Sequence, residues 1–287
     1  MKSLLTYLKE ADEKKIAIGH FNISDLAALK AIFETAKNLN LPVIIGLSEG
    51  ERNFVGVSQA AALVASLRNE YNFPIFLNAD HTHSLEKVKE AAIADFDQII
   101  FDGSSLPFEE NIQKTKEAVS IARAINPNVV MEGEIGFIGN SSEVMENAPA
   151  GIELTKPEDA KRFVEETGID VLAPAVGNMH GLLKTMISGD IQKRLNLSLI
   201  KEIKEAINGK FMTLHGGSGT NDDDFKQAVK EGMTIVHVNT ELRIAWRKGV
   251  EQGLAVDVVE VAPYKILPYA VNRISKVVED RLKLFNS

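Results

Sequence analysis

The six histidines of the chain, His20, His81, His83, His180, His215 and His237, each stand at, or just beyond, the C-terminal end of a run of strand-forming residues. None falls in a helical pattern. Imidazole binds metals and moves protons near neutral pH, so histidines gathered in this way point to one shared centre. Carboxylates accompany them. Asp80 directly precedes His81, and Glu132 and Glu134 lie two apart on one predicted strand, so their side chains leave the same face. A charged group on a buried strand is costly unless it is paired or bound to metal. For Glu132 a structural ion pair explains as much as a ligand role. The chain has no cysteine, so a metal would be held by His, Asp, Glu or backbone oxygen. Such donors suit a catalytic Zn2+ with one open position, and a redox-active iron can use the same ligand types.

A second chemical signal is glycine. His215-Gly216-Gly217-Ser218-Gly219-Thr220 follows a predicted strand and runs into a helix beginning near Asp222. Glycines bare the backbone N–H groups and a helix N-terminus adds positive potential, so this turn can cradle an anion. Asn239 and Thr240 would add hydrogen-bonding groups from the next strand, while Gly181 and Lys184 offer a close backbone approach and a positive charge. No Walker A motif is present. Gly133–Gly139 has the wrong spacing for a dinucleotide turn.

The elements that must position these groups alternate along the whole chain. Strand candidates fall at Ile16–Phe21, Pro42–Ser48, Pro74–Ala79, Gln98–Asp102, Val129–Ile135, Asp170–Val176, Lys210–His215 and Thr234–Asn239. Several are continuously apolar, as buried parallel strands are. Amphipathic helical patterns separate them, at Ser24–Asn38, Ser58–Asn69, Ser84–Ala94, Phe108–Ile125, Lys156–Thr167, Leu199–Ile207, Asp222–Lys230 and Thr240–Gln252, with a last one at Pro268–Phe285. Eight βα units without a linker or composition break predict a single-domain (β/α)8 TIM barrel over residues 1–287, extended by helix from about residue 263. In that fold the C-terminal ends of the strands share one rim, where active sites are built. The long connection Gly136–Glu153 is of a length usually reserved for functional or mobile loops.

Bulk composition narrows the class. Thirty-two basic against forty acidic residues give a formal charge of −8, which argues against non-specific binding to nucleic acid or anionic membranes. No apolar run approaches the roughly 20 residues that span a bilayer. The N-terminus turns charged before a signal-peptide core can form, so a cytoplasmic location is expected.

Taken in order, Asn22, Ser48-Glu49-Gly50, Ala79-Asp80-His81, Glu132-Gly133-Glu134-Ile135-Gly136, Gly177-Asn178-Met179-His180-Gly181, His215-Gly216-Gly217-Ser218-Gly219 and Asn239-Thr240-Glu241-Leu242-Arg243 resemble the class II ketose-bisphosphate aldolases, which include the fructose- and tagatose-bisphosphate enzymes. The resemblance implies a metal-dependent carbon–carbon lyase. It would split a ketose bisphosphate, first of all fructose 1,6-bisphosphate, into dihydroxyacetone phosphate and glyceraldehyde 3-phosphate. It further implies that His81, His180 and His215 bind zinc, that Glu134 can approach the metal, and that Asp80 is the catalytic acid/base. Gly181, Lys184, Gly216, Gly217, Ser218, Asn239 and Thr240 would hold the triose phosphate, often with a monovalent cation (Na+ or K+), and Asn22 and Ser48 would line the substrate site. The family places an acid on the loop after the fifth strand. There Ser141-Ser142 stand where paired acids are expected, and Glu143 is the candidate. Family members are commonly homodimers or homotetramers.

Two departures bear on the sugar. His237 stands where the family carries an asparagine that contacts the triose, and Val261–Pro268 lacks the family's Asp-Pro-Arg-Lys wording. Two other readings therefore accompany the first: a zinc aldolase for tagatose bisphosphate or a deoxy- or mono-phosphorylated ketose, and a non-catalytic sugar-phosphate-binding barrel. Retention of Asp80 beside all three presumed ligands counts against the last, because binding alone needs no positioned base.

Overall fold

All eight expected strands form and close on one another. In a computed structural model of the chain, which describes residues 2–139, 143–146, 153–186 and 191–287, the strands are β1 (Ile18–Asn22), β2 (Val43–Leu47), β3 (Ile75–Thr82), β4 (Gln98–Phe101), β5 (Val130–Ile135), β6 (Val144–Met145), β7 (Val171–Pro174), β8 (Leu182–Leu183), β9 (Phe211–Leu214) and β10 (Met233–Val238). The barrel order is β1-β10-β9-β7-β5-β4-β3-β2, closed and parallel throughout. β6 and β8 form a separate short ladder at the rim, which strand periodicity did not signal.

Helices α1 (Leu4–Lys14), α2 (Leu26–Leu39), α3 (Glu49–Val55), α4 (Val57–Tyr71), α5 (Leu85–Ile93), α6 (Phe108–Ile125), α7 (Pro157–Thr167), α8 (Leu197–Ala206), α9 (Asp222–Lys230), α10 (Thr240–Val256) and α11 (Pro263–Phe285) complete the described chain. Seven of the nine expected helical stretches lie within a few residues of α2 and α4–α9. α10 runs on past its expected end to Val256. α11 begins five residues before its expected start, because Pro263 opens it. At that first-turn position the missing N–H has no partner to lose, and Pro268 then sits inside the helix at the expense of one backbone bond. Close packing supports it there: a Cβ added at Gly249 of α10 would fall 2.3 Å from the Ala270 Cα. Ala270, Ile274, Val278, Leu282 and Phe285 of α11 are buried against the barrel, each large side chain contributing about 1.5–3 kcal/mol.

Side chains alternate across each strand. Phe21, Ile45, Leu77, Ile99, Met131, Leu172, Met212 and Val236 face outward into the layer between barrel and helices. The inward set changes character with height. At the N-terminal end, Ile18, Ile44, Phe76, Val130, Val171, Phe211 and Ile235 form an apolar floor on which Leu4, Leu8 and Ala11 of α1 pack. α1 thus stoppers the barrel, capped by the Ser3 side chain accepting from the Thr6 N–H. Above that floor, His20, Asn78, Gln98, Glu132 and Thr213 are fully buried. The barrel is greasy below and polar above. No helix among the described residues is long and apolar enough to cross a membrane.

Candidate active site

Consecutive strand residues normally point to opposite faces, yet Asp80 and His81 both reach the barrel mouth. The cause is local. The β3–β4 register shifts between Ala79 and Thr82, a bulge that re-aims side chains, and His81 holds a left-handed backbone with φ 43°. A non-glycine residue in that conformation costs about 1–2 kcal/mol, strain of the kind that collects at functional sites. Arg52 secures the turn, its guanidinium donating to the Leu47 carbonyl at 2.5 Å, the Asp80 carbonyl at 2.9 Å and the Thr82 hydroxyl at 3.0 Å.

His180 arrives on the turn after β7. The buried Asn178 side chain shapes that turn, accepting from the Val176 N–H at 2.8 Å and donating to the His215 carbonyl at 3.0 Å. His215 ends β9. Gly216 follows with φ 60°, and a Cβ there would lie 2.3 Å from the Met179 carbonyl oxygen. The two turns touch backbone to backbone, which only glycine permits.

These elements bring His81, Glu134, His180 and His215 together, with one ligating atom from each lying within 4.8 Å of the others. The imidazole centroids are 4.7 Å apart for His81–His180, 4.8 Å for His81–His215 and 5.8 Å for His180–His215. Hydrogen bonding on the far side of two rings decides which nitrogens face inward. His81 Nδ1 lies 2.7 Å from Asp102 Oδ2, and His215 Nε2 lies 2.7 Å from Glu132 Oε1. That leaves His81 Nε2 and His215 Nδ1 turned toward the centre, 3.1 Å from each other. His180 Nε2 and Glu134 Oε2 are buried beside them with no hydrogen-bond partner among the described residues. Orphaned, converging nitrogen and carboxylate donors backed by second carboxylates are what a divalent metal requires. The donor set fits.

The electrostatics agree. Burial pushes the Glu134 carboxyl well up, with Asp102 adding to it. Burial, helped by the charge of His81, lowers His215 to about 3, keeping that ring a neutral donor. Asp80 behaves oppositely. Burial alone would raise its carboxyl, but His81, His20 and His215 with the Asn22 hydrogen bond outweigh it, holding Asp80 well below the usual carboxylate range. Asn22 Nδ2 donates to Asp80 Oδ2 and to Glu51 Oε2, both at 2.8 Å. Asp80 Oδ1 has no hydrogen-bond partner among the described residues and lies 3.6 Å from His237 Nδ1. It is an ionised carboxylate with one oxygen held and the other unengaged.

A family model described as "Fructose-bisphosphate aldolase class-II" matches residues 2–287. The chain belongs to that family. It is 34% identical over 288 residues to a "Fructose-bisphosphate aldolase" of Staphylococcus aureus, covering 99% of this chain and 97% of the relative. A relative of the same name from Staphylococcus epidermidis is 33% identical over the same shares. The crystal structure of the YdjI aldolase from Escherichia coli K12 superposes with a TM-score of 0.83 at 26% identity, over 99% of this chain and 97% of that one. The chain is therefore an aldolase, a carbon–carbon lyase of a family acting on phosphorylated sugars.

Around the histidine–glutamate cluster of this aldolase a cavity of about 250 Å3 is lined in part by Ser48, Asp80, His81, His180 and Asn239. A narrower cleft beside it draws on Asn22, Gly181, Gly216, Ser218, His237 and Thr240. Gly217 is tied to the same strand end, its N–H donating to the His237 carbonyl at 3.2 Å. Lys184 is placed apart from these. Its ammonium pairs with Glu146 at 2.5 Å on the exposed rim, a contact worth at most about 1 kcal/mol. Glu143 is exposed, and its carbonyl accepts from the Leu182 N–H at 2.9 Å, which pins the start of the short ladder beside Gly181. Ser141 and Ser142 lie outside the described residues. His83 stands on the rim with Nδ1 3.2 Å from the Asp102 carbonyl.

Sequence reading missed several residues that shape the site. Asp102 orients the His81 ring, Glu51 and Arg52 brace Asn22 and the Asp80 backbone, and Lys193 lies beneath the glycine turns; Glu132, for which the sequence allowed an ion pair, sits 2.7 Å from His215 Nε2. His237 stacks face to face on His20 at 3.5 Å and on His215 at 4.1 Å.

Proposed function

We propose that this chain, with zinc held by His81, His180 and His215, reversibly cleaves fructose 1,6-bisphosphate between C3 and C4. The convergence of three imidazoles and Glu134 beside the ionised Asp80 carries this reading. Zinc bound there would supply a Lewis acid that offsets negative charge developing on substrate oxygen. Asp80 takes the proton from the C4 hydroxyl with its free oxygen, while Asn22 keeps the other oxygen in place. As the C3–C4 bond breaks, C4 becomes the aldehyde carbon and the electron pair stays with C3. C3 then needs a proton, and Glu143 is assigned as its donor. Glu134 faces the same cluster and serves as an exchangeable ligand. The Gly216–Ser218 turn, Gly181, Asn239 and the N-terminus of α10 at Thr240 receive the triose phosphate, with Lys184 released from its exposed pair with Glu146. The cytoplasm is the setting, since sugar phosphates are too charged to cross a membrane unaided.

His237 supports a second reading. A flat ring stacked over His215 is a different wall from an asparagine side chain, which favours tagatose bisphosphate or a deoxy- or mono-phosphorylated ketose. One experiment separates the two. With the zinc-loaded chain, triose phosphate release is followed by a coupled assay on fructose 1,6-bisphosphate, tagatose 1,6-bisphosphate and fructose 1-phosphate, with and without chelator. We expect chelator-sensitive turnover with kcat/KM highest for fructose 1,6-bisphosphate. A tenfold preference for another ketose transfers the assignment to that sugar, and no triose phosphate from any of them sinks both readings.

Assembly as a homodimer or homotetramer belongs to the same proposal. It is supported by Val258, Val259 and Val261 between α10 and α11 and by Tyr264 in the first turn of α11, which are 76–86% exposed, an apolar surface that water alone covers poorly. Sedimentation velocity is expected to give a dimer or larger species, and a monomer at micromolar concentration removes this part.

A further inference from the structure

Lys193 is an unusual lysine. It is 4% exposed, whereas lysine is almost never fully buried without a partner charge. Its ammonium donates to three backbone carbonyls, those of Met179 at 2.7 Å, Gly181 at 2.6 Å and Gly216 at 2.9 Å. An ammonium has three N–H groups and all three are used, an arrangement a neutral amine could not satisfy. No carboxylate is hydrogen-bonded to this ammonium among the described residues. The nearby Glu241 is itself held by Arg281 at 2.9 and 3.0 Å, so its charge is already matched. The Lys193 backbone is equally fixed, its N–H donating to the Gly219 carbonyl at 2.9 Å and its carbonyl accepting from the Asn221 N–H at 3.2 Å.

The position of this charge is the informative part. Met179 and Gly181 flank His180, and Gly216 follows His215. Gly181 and Gly216 also line the cleft that contains Asp80, His81 and His180. One cation therefore sits a single peptide layer behind the turns read as the phosphate pocket and pulls both against each other. Three converging carbonyl oxygens are also the donors that a hard alkali cation would take. Here the ammonium already occupies them, so the residues present do not fit the free Na+ or K+ that the family resemblance implies.

We propose that Lys193 is a tethered cation that replaces a free monovalent ion in the phosphate pocket, making anion binding by this enzyme independent of Na+ and K+. The proposal rests on the glycine turns being the phosphate pocket. It accounts for a buried charge that would otherwise be only a cost, because that charge is balanced when the anion arrives.

The test is calorimetric titration of the full-length, metal-bound chain with inorganic phosphate. Paired buffers of equal ionic strength contain either tetramethylammonium or K+ as the sole cation. For the unaltered chain we expect the two affinities to agree within about twofold. Lys193→Ala opens the carbonyl cage, and should bind phosphate at least about tenfold more weakly in tetramethylammonium and recover in K+ or NH4+. Lys193→Met fills the space without charge and should bind weakly in both. Any of four results overturns the proposal. The unaltered chain could gain fivefold or more from K+ or bind no phosphate in either buffer. Lys193→Ala could match it in tetramethylammonium, or fold and bind weakly with no recovery in either ion. Should neither variant fold, the unaltered chain in its two buffers still decides, agreement supporting the proposal and potassium dependence refuting it. Since no turnover is read, failure of the cleavage assay leaves this test intact.

Discussion

Asp80→Ala is expected to lower turnover about 10³-fold or more, within the range for loss of a positioned proton acceptor, with the zinc content per chain unchanged. The separation of the two readouts follows from the geometry. Asp80 Oδ1 lies 3.8 Å from His81 Nε2, close enough to feel the centre's charge but outside hydrogen-bonding range. The ring of His81 is oriented from its other side, by Asp102 at 2.7 Å, so the ligand keeps its pose when Asp80 is shortened. What disappears is a site carboxylate that is both held ionised and equipped with an unengaged oxygen. Steady-state kinetics and metal analysis by mass spectrometry on the same preparation check this. An Asp80→Ala chain that turns over at the parental rate removes Asp80 from the chemistry, and one that loses its zinc makes Asp80 a ligand instead.

His215→Ala should abolish both metal and activity. Changing a group that merely orients a ligand typically lowers metal affinity 10–100-fold, so deleting a ligand should exceed about 100-fold. A second consequence is structural. Glu132 Oε1 would lose its partner at 2.7 Å while remaining fully buried, and an unsatisfied buried group costs about 1–3 kcal/mol. Burial, with Asp80 adding to it, already drives the Glu132 carboxyl well above its ordinary value, so what remains is a neutral acid short of one partner. The expected variant is folded, melts several degrees lower and carries less than a tenth of the parental zinc. Unchanged stoichiometry would dismiss His215 as a ligand.

How far the chain announced all this differs between fold and site. The barrel was legible because each of its strands carries a dense apolar signal and nearly every following helix an amphipathic one. Two helices escaped. α3 buries Glu51 and Arg52, polar residues to which a search for apolar periodicity is blind. α1 does carry Leu4, Leu8 and Ala11 at helical spacing, but its weight lies in whom it meets, the floor of a closed barrel, and closure is not a local property. At the site, the histidines, Asp80 and the carboxylates of β5 stood out because such residues are rare or costly where they fall. Asp102 and Glu132 did not show their purpose. Orienting an imidazole depends on a neighbour 21 or 83 positions away, and one chain carries no mark of that pairing. Lys193 lies in an irregular stretch between β8 and α8, where neither period applies. Only the convergence of three carbonyls from two distant turns distinguishes it from an ordinary surface lysine.

Among the described residues α1 stoppers the barrel's N-terminal end, so on the proposed function a sugar would enter and leave by the opposite rim. Both fragments of a split sugar would then share one exit with the intact molecule, which couples release to entry at that rim.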